Sequence, residues 1–66
     1  MKNLNDAVIG TDGEGFELSI NWADGEGFIS CGEEVRDITE TQAELLVNGD
    51  LSVAADLFDY SEFEAI

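Results

Sequence analysis

Cations are what this chain almost lacks. Lys2 and Arg36 are the only lysine and arginine among 66 residues, and there is no histidine. Without histidine, the nucleophilic triads lose their usual general base. With two cations, no groove can neutralise a run of phosphates, so direct nucleic-acid binding is excluded as a function class. Cysteine is nearly as scarce, because Cys31 stands alone. It can neither close an internal disulfide nor build a thiolate metal site, and it reads as a small, half-buried apolar side chain. A staple-free domain of this kind suits a reducing cytoplasm. No apolar stretch approaches the roughly 18 residues of a membrane span. Met1 and Lys2 lead into Asn3, Asn5 and Asp6 rather than an apolar run. Neither a signal peptide nor a membrane partner is expected.

What is present is acid. Sixteen aspartates and glutamates leave a formal charge of −14. A folded body of 7.1 kDa exposes roughly 4,000 Å² by size scaling, which is about one uncompensated negative charge per 300 Å². Such a surface attracts cationic partners, repels nucleic acid and anionic membrane, and works against its own compaction. Acidic disordered tails are poor in aromatic residues. Here Phe16, Trp22, Phe28, Phe58, Tyr60 and Phe63 are spread along the chain, and 44% of residues are hydrophobic. One folded domain over residues 1–66, with a thin core, is the expectation.

The segment Asp-Gly-Glu-Gly-Phe occurs twice, at 12–16 and 24–28. Asp-Gly is a turn signal, and the two copies read as two similar hairpin turns. Between them, Phe16, Leu18, Ile20 and Trp22 alternate with polar residues, the period of a half-buried strand. Flanking strands are expected near Ala7–Gly10 and Gly27–Cys31. After Gly32 the period changes. Asp37 with Glu40 and Thr39 with Gln42 offer two overlapping capping boxes. Ala43, Leu46 and Val47 follow at helical spacing, and Asn48-Gly49 supplies a stop. A second helix, capped by Asp50 or Ser52, would share Leu51, Ala54, Ala55 and Phe58 on one face. Tyr60–Ile66 would extend it or form a last turn. The competing hairpin, Leu45–Val53 folded at Asn48-Gly49, is disfavoured by the good helix formers around it. The fold class is therefore α+β: a three-stranded antiparallel meander followed by two short helices packed on one face. Its core would comprise Val8, Phe16, Leu18, Ile20, Trp22, Phe28, Val35, Ile38, Leu46, Val47, Leu51, Ala55 and Phe58.

Several chemistries fail on inspection. Gly13-Glu14-Gly15 sets a carboxylate where a phosphate would lie, and no Lys-Ser/Thr follows. A fold this small offers little cleft for a sugar between paired carboxylates. Asp12 with Glu14, and Asp24 with Glu26, are oxygen ligands in glycine-rich turns, but neither copy has the acid series of an EF-hand. No catalysis, no cofactor and no bound metal are expected. The stretch Leu46–Phe58 is similar to the last loop and helix of ubiquitin-associated domains. The rest of that pattern is missing, and no function is carried over.

Three functions remain. A carboxylate-studded body presents what nucleic acid presents, so it can occupy a Lys/Arg groove built for phosphates, with fast, salt-dependent association. In size and charge the whole chain resembles small acidic phage-encoded inhibitors of host defence, the anti-CRISPR and DNA-mimic class, with no shared motif. That resemblance implies a non-catalytic inhibitor, acting in a bacterial cytoplasm on a CRISPR effector complex or another basic nucleic-acid-binding protein. The residues expected to bind the partner are Asp12, Glu14, Asp24 and Glu26 in the turns, Glu33, Glu34 and Asp37 after the sheet, and Asp56, Asp59 and Glu62 near the end. The second reading is an acidic interaction module with an apolar patch from Phe58, Tyr60, Phe63 and Ile66. The third is a halophile-adapted surface whose charge serves solubility in molar salt.

Overall fold

The computed structural model describes every residue from Met1 to Ile66. Four strands form an antiparallel meander: β1 (Leu4–Thr11), β2 (Glu17–Ala23), β3 (Glu26–Cys31) and β4 (Glu34–Ile38). Two helices follow, α1 (Glu40–Val47) and α2 (Ser52–Phe58), and then β5 (Glu64–Ala65). The sheet order is β4-β3-β2-β1-β5, so the chain ends on the outer edge of β1. The architecture is α+β, with one strand more in the meander than the sequence suggests and a further edge strand at the end.

The core sits between one sheet face and the helices. Leu18, Ile20 and Trp22 point into it from β2, as their alternation requires. Opposite residues of an antiparallel pair share a face. Ile20 faces Ile29 and Trp22 faces Gly27, so β3 turns Ile29 inward. From β4, Ile38 pairs with Gly27 and joins them. Ala43 and Leu46 of α1 and Ala54 of α2 close the cluster. Phe28 and Val35, expected inside, project from the other face and are 38% and 50% exposed. Val8 and Val47 are exposed as well, and Phe16 is 55% exposed in the loop before β2. The uncovered face carries Val8, Ser19, Ser30 and Val35 in one row across four strands, with the two serine hydroxyls 3.1 Å apart.

The two Asp-Gly-Glu-Gly-Phe copies fold differently. Ala23 pairs with Glu26, leaving a two-residue turn in which Asp24 and Gly25 both have positive φ (56° and 85°). That is the geometry Asp-Gly favours. In the first copy Thr11 pairs with Glu17, and a five-residue loop bridges them. There Asp12 is buried, and its Oδ1 accepts the N–H groups of Glu14 (2.7 Å) and Phe16 (3.2 Å). A third turn at Gly32-Glu33 leads into β4, the strand absent from the sequence reading.

Of the two candidate capping boxes, Thr39 with Gln42 forms: the Thr39 hydroxyl accepts from the Gln42 N–H and the Gln42 side chain accepts from the Thr39 N–H. Asn48 caps the end of α1, so the alternative hairpin does not exist. Asp50 accepts from the Ser52 N–H just ahead of α2. Asp59 takes a left-handed conformation (φ 51°, ψ 48°) and stops α2. Tyr60–Ile66 therefore leaves the helix and returns to the sheet, where Gly10 pairs with Ala65 and Thr11 with Glu64. Neither helix is long and apolar enough to cross a membrane.

Candidate functional site: an aromatic cleft among carboxylates

Strand pairing sorts the acids into two ends. The starts of β2 and β4 and the ends of β1 and β3 lie together, and the loops there bring Asp12, Glu14, Glu33 and Glu34 to one end. The stop of α2 adds Asp59. These five line a cleft of about 530 Å³. Its other walls are aromatic, from Phe16, Phe58, Tyr60 and Phe63. Behind it, Glu62 and Glu64 share a second hollow with Asp12, Gly13 and Glu14. Asp24, Glu26 and Asp37 gather at the opposite end around Phe28, in a hollow of about 390 Å³. Asp56 lies exposed on α2 and lines none of these. Six of the ten expected residues thus share one end, three share the other, and one stands apart.

Asp12 differs from the rest of its set. It is the one buried acid, 9% exposed, while the other fifteen are exposed. Besides its two loop N–H bonds, its Oδ2 lies 4.0 Å from the Cys31 sulfur, and its backbone carbonyl accepts the Tyr60 hydroxyl at 2.6 Å. Asp12 therefore holds the loop, the end of β3 and the returning C-terminal segment together. Its part in any interface is to shape the cleft wall as well as to charge it.

The aromatic wall is built by edge-to-face contacts. Phe58 and Phe63 have ring centroids 5.8 Å apart, and Tyr60 and Phe63 4.9 Å. This geometry sets positive ring edges against negative faces. The three rings form the patch that the sequence suggests as an interaction surface, but Ile66 is not part of it. Ile66 is 80% exposed and borders a shallow hollow with Val8 and Val47. Phe16, read from the alternation as core, belongs to the cleft; its ring packs over Gly32. Arg36 was given no role by the sequence. It lies on the core side of β4, opposite Ile29, with its guanidinium 5.3 Å over the Phe58 ring and 3.9 Å from the Glu34 carboxylate.

Electrostatics follow from this crowding. Loss of solvent raises the Cys31 thiol above its ordinary range, and the charges of Asp12 and Glu34 push the same way. The Tyr60 phenol is raised too, first by desolvation and then by Glu14, Glu62 and Asp12. A thiol held protonated beside carboxylates is a poor nucleophile. Across the molecule, Glu40 meets the N-terminal amine at 3.2 Å and Glu34 meets Arg36; the other fourteen acids have no cation within ion-pair distance. Nowhere do three His, Cys, Asp or Glu side chains converge as a metal ion requires.

No protein-family model, no curated protein and no solved structure matches this chain.

Proposed function

We propose that this protein is a non-catalytic inhibitor that occupies the basic nucleic-acid-binding surface of a DNA- or RNA-handling complex, as an acidic decoy. A CRISPR effector in a bacterial cytoplasm is the first candidate target, on the likeness in size and charge described above. The observation that carries the reading is charge per length. The Cα atoms span 31 × 19 × 18 Å, and the chain bears −14. A DNA duplex of that length holds about nine base pairs and about eighteen phosphate charges. The protein thus carries roughly three-quarters of the duplex charge on a body of the same length. Fourteen carboxylates without an internal cation supply that field, and all of these but Asp12 are exposed to a partner.

An affinity capture from bacterial lysate at about 50 mM and about 500 mM salt tests the reading, since phosphate-like contacts are salt-sensitive. A nucleic-acid-handling complex retained at low salt, and displaced by heparin or DNA, is the expected result. Retention of acidic or neutral proteins with no salt dependence overturns it.

A second reading, a general acidic interaction module, draws support from the Phe58–Tyr60–Phe63 cluster at the cleft. There the rings would anchor the partner and the acids would set the rate of encounter. The two readings part on competition: nucleic acid displaces the partner of a decoy and leaves the partner of a module in place.

A further inference from the structure

The cleft has a chemistry more specific than the acidic surface around it. Four aromatic rings line it, and Glu14, Glu33 and Asp59 stand exposed at its border with no cation of the chain beside them. Arg36 points to what it takes. At one border of the cleft the chain's own guanidinium lies 5.3 Å over Phe58 and 3.9 Å from Glu34, a ring beneath and a carboxylate beside. Phe16, Tyr60 and Phe63 line the same cleft as Glu14, Glu33 and Asp59, and no guanidinium of the chain lies over these rings.

We propose that the cleft receives an arginine side chain of the basic partner, its guanidinium stacked on the aromatic wall and paired with Glu14, Glu33 and Asp59. This rests on the decoy reading and deepens it, by naming the one place where the partner's contact is specific rather than merely electrostatic. Arginine suits the cleft better than lysine. Its flat, weakly hydrated guanidinium stacks on rings and forks to carboxylates, whereas an ammonium is a compact and strongly hydrated charge. A second copy of this chain is a poor occupant, because each copy brings −14 to the contact.

Two variants of the full chain with equal change in charge test this. One carries Glu14→Gln, Glu33→Gln and Asp59→Asn at the cleft; the other carries Asp24→Asn, Glu26→Gln and Asp37→Asn at the far end. All six residues are exposed, and asparagine tolerates the left-handed backbone of Asp59 and Asp24. Each is titrated with a short arginine-rich peptide and with its all-lysine counterpart in dilute buffer. The cleft variant is expected to lose about ten-fold in affinity for the arginine peptide and the far-end variant about two-fold. The unaltered chain is expected to prefer arginine over lysine by about three-fold, a preference that Phe16→Ala removes. Equal losses in the two triple variants, or no preference for arginine, overturn the cleft assignment and leave the decoy reading standing. If neither peptide binds the unaltered chain, both fall together.

Discussion

The Tyr60 hydroxyl donates to the Asp12 carbonyl at 2.6 Å, across 48 residues of sequence. This bond ties the segment after α2 to the loop between β1 and β2, and so fixes two walls of the aromatic cleft relative to each other. A neutral hydrogen bond of this kind contributes about 1 kcal/mol. Tyr60→Phe keeps the ring and removes the bond. Urea unfolding should register a loss of about 1 kcal/mol, with faster amide exchange in residues 62–66. An unchanged midpoint and unchanged exchange would mean that the tether does not hold the segment.

Gly10 lies where β5 crosses closest to β1. A Cβ there would overlap the Glu64 carbonyl oxygen and lie 3.0 Å from Leu51 Cδ1. Gly10→Ala is therefore expected to detach β5 while the four-stranded meander survives. Exchange of the Ile66 amide, which donates to the Ile9 carbonyl at 3.3 Å, reports this directly. Retained protection of that amide in the alanine variant would contradict the packing described here.

The orientation of β3 gives a sharper test. Ile29 is fully buried and Phe28 is 38% exposed, though phenylalanine is the larger side chain. Ile29→Ala should cost about 2–5 kcal/mol, enough to unfold a domain this small, while Phe28→Ala should cost under about 1.5 kcal/mol. Thermal melts of the two variants decide it. The reverse order would mean that β3 is flipped.

Much of the fold was legible in the residues, and where it was not, the reasons are physical. Leu18, Ile20 and Trp22 alternate cleanly because β2 is central and covered on one face only. Thr39 and Gln42 announce the start of α1 by chemistry that acts within one turn. β4 escaped because it is an edge strand: Glu34, Arg36 and Asp37 carry the charge that such a strand uses against unwanted pairing, which erases the alternation. β5 escaped because two residues carry no period, and its place depends on contacts far along the chain through Gly10 and Tyr60. At the site, the acids could be named from composition, yet composition could not say that Asp12 turns inward or that Asp56 stands apart. Their grouping comes from strand register, and the register depends on bulges in β1. One of these is marked by Asp6, at φ 50°, which exchanges two 3.0 Å hydrogen bonds with the Asn21 side chain.

The Cys31 thiol and the Tyr60 phenol are both raised by the fold, so the folded state favours their protonated forms. The stability this contributes is complete below the unfolded-state values, 9.0 for the thiol and 10.0 for the phenol, and is lost as pH rises through the folded ones. The urea midpoint should therefore fall from pH 8 upward through 11 more steeply than in Cys31→Ser. A midpoint that rises over this interval would contradict the assignment. Alkylation of Cys31 at pH 8 should likewise be slower in the folded chain than in urea.

Salt bears on the third functional reading. Unpaired carboxylates repel one another, and screening relieves them. The melting temperature should rise between about 0.05 and 0.5 M sodium chloride, with cooperative unfolding already present at about 0.1 M. A chain that folds only above about 1 M salt would instead be adapted to molar salt, and its charge would indicate no partner.

In the proposed function, the unpaired acids meet cations on another protein. The most direct test of this is the affinity of the purified chain for the complex it captures, measured over about 50 to 500 mM salt. The logarithm of the binding constant is expected to fall linearly and steeply with the logarithm of salt, and DNA is expected to compete for the same surface. An affinity that is flat across that range, or one that DNA leaves untouched, would contradict it.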